Sequence, residues 1–245
     1  MPRLPPLLLS LILLLASWTH ATPLRLATLE YPPYCSQALE NGGSIVELVT
    51  RAFASQGQAV QIDFLPWARV RAELGSGRYQ GALALWPREI QEERLVASRP
   101  LFYSELGFFS RSGKPVPFHS LADLRGRKVG IVRGYGYPDN LLHSGFVSEE
   151  AVDDLSNLRK LAAGRFDLVL LERVVGNYLI ARHADLGGKV RWQEPALVRI
   201  PLLVGFTPPR AGQTDWVQVF ERGLRTLHAS GDYMRILQRH NQVTP

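Results

Sequence analysis

The chain has one cysteine, Cys35, in 245 residues. No intrachain disulfide can therefore form, and a disulfide-stapled scaffold is excluded. Its six histidines are scattered, and none forms a His-x-x-x-His or Glu-x-x-His pair on one helix, so a metal centre is not expected. A Gly-x-Ser-x-Gly nucleophile turn is also missing. Gly134-Tyr135-Gly136 lacks both the third glycine and the later acid of a dinucleotide fingerprint. Internal repeats and low-complexity tracts are absent, and no apolar run beyond the N-terminus approaches the length of a membrane span. The net charge of +6 hints at nucleic acid, but Lys and Arg are dispersed among acids instead of clustered, so no nucleic-acid partner is expected. No cofactor is expected either.

What remains is ordinary globular composition, with 46% hydrophobic and 20% charged residues. Arg3, an apolar run over residues 7–16 and the triplet Thr19-His20-Ala21 have the layout of a secretory leader. Residues 1–21 are read as a signal peptide, so the mature chain is expected to be exported to the periplasm or outside. Apolar residues then alternate at period two over 24–29 and again at 60, 62 and 64, as in strands. Between them, Ser44 with Glu47 reads as a capping box opening a helix whose apolar stripe ends before Gly57. A short helix around Trp67, Val70 and Leu74 leads to a buried strand over 81–86. A second series follows: strands over 106–110, 128–132, 167–171, 190–192 and 200–206, with helices between and after them. The strand-helix alternation predicts an α/β fold of parallel, helix-covered sheets in two lobes facing a cleft.

Chemistry-bearing residues gather at predicted strand ends, where ligands bind in α/β sheets. Tyr31 and Tyr34 stand on the stiff Tyr31-Pro32-Pro33-Tyr34 loop. Trp67 and Arg69 follow the second strand, and Trp86 ends the third, with Arg88 and Arg94 beyond it. Gly134, Tyr135 and Gly136 form a strand-to-helix loop whose free N–H groups would suit an anion. Glu172 ends a strand, where one carboxylate could meet a cationic group or cap the helix that follows. Each aromatic and glycine also has a plain packing or turn role.

In this order the motifs resemble the family 3 extracellular solute-binding proteins, the polar amino-acid type of periplasmic binding protein. The resemblance runs through Tyr31-Pro32-Pro33-Tyr34, Pro66-Trp67-Ala68-Arg69, Leu74-Gly75-Ser76-Gly77 and Ser98-Arg99-Pro100-Leu101. It continues through residues 121–130, Arg133-Gly134, residues 161–167 and Ser230-Gly231-Asp232-Tyr233. It implies a type II binding-protein fold with lobe 1 at 22–105 and 199–245, lobe 2 at 106–198, and two hinge crossovers near 103–106 and 198–201. It also implies a monomer that carries a small-molecule ligand, an amino acid or related carboxylate, to an inner-membrane ABC permease. A sensor or orphan carrier on the same scaffold is the alternative, and a dehydratase-like enzyme a further one. In the family, a lobe 1 Arg clamps the ligand carboxylate seven residues before the Ser-x-Pro serine. Gln91 stands there, with Arg88 and Arg94 three residues to either side, where helical spacing would let either share its face. Glu172 falls where the family usually has an Asp for the ammonium.

Overall fold

A computed structural model describes residues 23–242. The signal-peptide reading falls on residues 1–21, outside the described residues. The chain runs β1 (Leu24–Thr28), α1 (Ser44–Ala54), β2 (Val60–Phe64), α2 (Trp67–Gly75), β3 (Gly81–Leu85), α3 (Pro87–Glu92), β4 (Val96–Ala97) and β5 (Phe102–Arg111). It continues through β6 (Lys128–Val132), α4 (Asp139–Leu142), β7 (Val147–Ala151), α5 (Asp154–Ala162), β8 (Leu168–Glu172) and α6 (Arg173–Arg182). The last elements are β9 (Val190–Phe206), α7 (Trp216–Ser230) and α8 (Asp232–Arg239).

The strands lie in the order β2-β1-β3-β9-β5-β8-β6-β7, with β4 also on β9. β1 is parallel to β2 and β3, and β6 is parallel to β7 and β8. Each of these groups is one lobe's helix-covered sheet. β3 and β8 are buried along their whole length, as their apolar runs, broken only by Glu172 at the end of β8, require of strands covered on both faces. The purely parallel expectation fails at the centre. β5 and β9 are antiparallel to each other, β9 is antiparallel to β3, and β5 is antiparallel to β8. These two long strands join the lobes.

Their register shows how one strand serves two lobes. Phe102 to Leu106 pair with Leu202 to Val198, and after a shift Phe108 to Arg111 pair with Gln193 to Val190. The segments anticipated as crossovers are thus direct neighbours, with Tyr103 opposite Pro201 and Glu105 opposite Arg199. At the shift, a Cβ on Gly107 would lie 2.3 Å from the Trp192 ring, so only glycine permits this approach. The sequence reading had split β9 into strands over 190–192 and 200–206. Pro195 lies in the gap and breaks its pattern, whereas pairing along β5 on either side holds the ribbon together. β7, with the sequence Val-Ser-Glu-Glu-Ala, escaped the sequence reading altogether. It is an exposed edge strand and carries no apolar alternation.

The capping box expected at Ser44 is not formed. Gly43 is the N-cap, and the Glu47 side chain leaves its own helix end for the chain's last helix. Its buried carboxylate accepts a hydrogen bond from the Arg239 guanidinium and pairs with His240 Nε2 at 2.8 Å. α7 packs on α1 so closely that a Cβ on Gly223 would lie 2.1 Å from the Ala52 carbonyl oxygen. The C-terminal helices are therefore locked onto lobe 1 by an ion pair and a glycine contact. Glu47→Ala removes hydrogen bonds to charged groups at a buried site. It is expected to cost about 2 kcal/mol, read as a lower urea midpoint with an unchanged denaturant slope.

Candidate functional site at the lobe interface

Lobe 1 builds an aromatic wall from three strand ends. The chain leaving β1 turns back on itself, with the Tyr31 and Cys35 backbones bridged, and buries Tyr31 and Tyr34. Their rings stack at 5.9 Å between centroids. Trp67 is the first residue of α2, just past β2, and buries with Val70 and Leu74 on one helical stripe. Trp86 follows β3 and caps α3, which Pro87 opens. Just before it, Ala84 takes a left-handed φ of +61° where the β3–β9 register shifts. A non-glycine residue held there is strained, a feature that clusters at functional sites.

Lobe 2 answers with the loop between β6 and α4. Gly134, at φ +78°, turns the chain so that Tyr135 projects into the lobe 1 wall. The Tyr135 ring stands edge-on to Tyr31 at 6.3 Å, to Trp67 at 6.2 Å and to Trp86 at 5.5 Å. Such edge-to-face pairs are favourable beyond the area they bury. Its hydroxyl donates to Asp154 Oδ2 at 2.9 Å. The backbone is tied as well. Trp67 Nε1 and Arg71 Nη1 donate to the Gly134 carbonyl, at 2.7 and 3.2 Å. Glu89 Oε1 accepts from the Gly136 N–H at 2.9 Å, while Oε2 accepts from the Trp86 N–H at 2.8 Å. Arg88 donates to the Tyr137 carbonyl at 3.1 Å and to the Asp139 carboxylate. Inside the box of Tyr31, Trp67, Ala84, Trp86, Glu89 and Tyr135 only about 10 Å³ remains, at the lower limit for one water. A wider groove of about 300 Å³ opens beside it, sharing Leu29, Trp67 and Tyr135.

The family model for bacterial extracellular solute-binding proteins, family 3, matches residues 24–243. The chain belongs to this family. No curated protein sequence matches it. Among solved structures, it is similar to a histidine kinase sensor domain resembling periplasmic binding proteins, at 25% identity and TM-score 0.71, over 89% of this chain and 95% of that one. It is also similar to the GluR0 ligand-binding core from Nostoc punctiforme in complex with L-glutamate. That match has 19% identity and TM-score 0.74, over 90% of this chain and all of the other. An ancestral arginine-binding protein bound to arginine matches at 20% identity and TM-score 0.74, over 89% and 97% of the two chains. The last two likenesses show the fold, which is the two-lobed periplasmic-binding type.

In this solute-binding protein, three carboxyl groups lie buried at the interface: Glu89, Asp154 and Glu172. Loss of water disfavours their charged forms, and each is pushed up to about 7. Hydrogen bonds oppose the shift: Trp86 and Gly136 amides at Glu89, the Tyr135 hydroxyl at Asp154, and amides including that of Val175 at Glu172. Glu172 Oε2 caps α6 by accepting from the Val175 N–H at 2.7 Å, so the capping reading of this residue holds. Its Oε1 has no partner, nor have Asp154 Oδ1 and the Tyr31 hydroxyl.

The structure gathers Tyr31, Trp67, Trp86, Gly134, Tyr135 and Gly136 into the box or its backbone ties, with Tyr34 stacked behind Tyr31 and Glu172 buried nearby. The arginines part company. Arg69 is exposed and lies 3.6 Å from Glu73 in an i,i+4 pair on the outer face of α2. Arg94 is exposed too, because α3 ends at Glu92 and Arg94 sits in a left-handed turn (φ +52°). The helical spacing that would put Arg88 and Arg94 on one face does not reach that far. Arg88 does face lobe 2, but Glu92 and Asp139 occupy its guanidinium. The expected anion site at the Gly134 loop is likewise taken, by the protein's own Glu89. Sequence reasoning missed Glu89, Arg71 and Asp154. Glu89 and Arg71 had one signal, an acid or Arg set one helical turn from Trp86 or Trp67, and Asp154 had none.

These buried carboxyls set the pH response. The folded protein keeps them protonated up to about pH 7, whereas the unfolded chain releases those protons near pH 4. The folded state thus binds more protons in between, and stability falls as pH rises from about 4 through about 7. Melting temperatures across that range are expected to decline toward high pH, and Glu172→Gln should flatten the slope. A melting temperature that rises from about pH 4 to 7 would contradict the assignment.

Proposed function

We propose that this protein captures a small solute between its lobes in the periplasm and delivers it, as a monomer, to an inner-membrane ABC importer. Residues 22–105 with 199–245 would move as one lobe and 106–198 as the other, bending at the paired crossovers of β5 and β9. Signal-peptide export places it where such a solute would be met. The observation that carries the reading is the insertion of Tyr135 from one lobe into the Tyr31–Trp67–Trp86 wall of the other. A site assembled from two lobes is complete only when they meet, which couples occupancy to closure.

A second reading, a sensor that presents its bound solute to a receptor, is favoured by the likeness to a histidine kinase sensor domain. The dehydratase-like reading required a raised pKa at Glu172, and burial supplies it. Glu89 and Asp154 are raised by the same desolvation, so the shift reports burial and does not single out a catalytic acid. The family and its structural neighbours are binding proteins.

A thermal-shift screen of amino acids, amines, dicarboxylates and sugars tests the reading. A solute at about 1,000 times its dissociation constant adds about 4 kcal/mol, a shift of roughly 8–16 °C for a chain of this size. Trp67→Ala should abolish the shift. A shift that survives Trp67→Ala would place the solute elsewhere. Loss of cellular uptake of the same solute on deleting the gene separates importer from sensor.

A further inference from the structure

The box between the lobes is already filled, and by the protein itself. The Tyr135 ring, brought in from lobe 2, stands among Tyr31, Trp67 and Trp86 of lobe 1 at interplanar angles of 80°, 83° and 84°. One ring thus makes three edge-to-face contacts at once, the geometry that aromatic quadrupoles favour. With it in place about 10 Å³ remains, so nothing larger than a water fits beside it. The ring is held at its far end as well, because the Tyr135 hydroxyl donates to Asp154 Oδ2 at 2.9 Å. Asp154 is buried, and a buried acceptor that loses its donor is costly.

Tyr135 is also a partition. It borders both the box and the adjoining groove of about 300 Å³, which share Leu29 and Trp67 with it. The groove is of ligand size, and Phe64, Leu65 and Pro66 continue its apolar wall. No Lys or Arg lines either space. The arginines that reach across the cleft are matched by acids: Arg71 by Glu92 and Glu93, Arg88 by Glu92 and Asp139. The box therefore offers aromatic faces and one buried acceptor, and Tyr135 is the group that satisfies both.

We propose that Tyr135 is a built-in occupant of the solute site, and that the solute is an aromatic compound with a ring hydroxyl that takes its place. The solute's ring lies against Trp67 and Trp86, its hydroxyl donates to Asp154, and a ring substituent runs into the groove. This deepens the reading of the cleft as a solute site and rests on it. It replaces the carboxylate-bearing solute expected from the sequence. Solute and side chain exclude each other, so the protein holds its own site shut until the ring is displaced. The apparent dissociation constant is then the intrinsic one divided by the fraction of molecules whose box is vacant.

Calorimetry on the wild type, Tyr135→Phe and Tyr135→Ala tests the inference. The probe is p-cresol, which is the tyrosine side chain as a free molecule. Toluene, a ring without the hydroxyl, and cyclohexanol, a hydroxyl without the aromatic ring, serve as comparisons. Tyr135→Phe opens no hole and loses only the bond to Asp154. It should bind p-cresol at least about threefold more tightly than the wild type does. Tyr135→Ala vacates the box and should gain at least about tenfold. In both variants toluene and cyclohexanol should bind at least about threefold more weakly than p-cresol. p-Cresol binding no tighter in Tyr135→Phe than in the wild type would overturn the inference, and so would toluene binding as tightly as p-cresol. Failure of p-cresol with all three proteins would overturn it too. In that event the solute-site reading stands if a solute from the thermal-shift screen binds the wild type and is lost with Trp67→Ala, and falls with the inference if none does.

Discussion

Glu89 ties the two halves of this protein to each other from a buried position. Its carboxylate accepts one backbone N–H from Trp86 in its own lobe and one from Gly136 in the other. A Cβ on Gly136 would come within 2.6 Å of the Glu89 side chain, so the loop's approach and its composition are one constraint. Because Glu89 draws Gly136 in, Gly134 can offer its carbonyl to the Trp67 indole and the Arg71 guanidinium. Tyr135, between the two glycines, is then carried into the aromatic wall. Backbone amides are suited to this task because they are rigid donors that need no side-chain ordering. The β5–β9 pair fixes the other end of the interface, so the lobes meet along a hinge on one side and a loop contact on the other.

Much of this was readable without coordinates, for identifiable reasons. Strand β3 and residues 168–171 of β8 are apolar runs and could be little else. Gly134-Tyr135-Gly136 announced a strand-to-helix loop, and Trp67 with Trp86 stood at strand ends. What escaped reading depended on contacts between distant parts of the chain. Glu47 sat in a capping-box pattern, yet its carboxylate is used by Arg239 and His240 nearly two hundred residues later. Glu89 lies on a short polar helix, and its burial depends on the second lobe's loop that meets it. Arg88 and Arg94 were judged by helical spacing that a left-handed residue interrupts. β9 was divided around Pro195, which sits where its long partner strand shifts register.

The charge pattern gives the site its character. Guanidinium groups at the cleft are consumed by neighbouring acids in forming the closed arrangement, while acids deeper in are left with unused oxygens. The contact between the lobes therefore uses arginines and backbone amides, while buried carboxyls and aromatic rings lie beside it. The same burial that leaves those carboxylates unpartnered raises their pKa values.

Solution X-ray scattering of the wild type and Glu89→Ala tests the central claim, that this loop contact holds the lobes together. The wild-type curve should match the closed arrangement, and Glu89→Ala should give a larger radius of gyration with the same secondary-structure content by circular dichroism. Superimposable curves for the two proteins, or an open wild type, would contradict it.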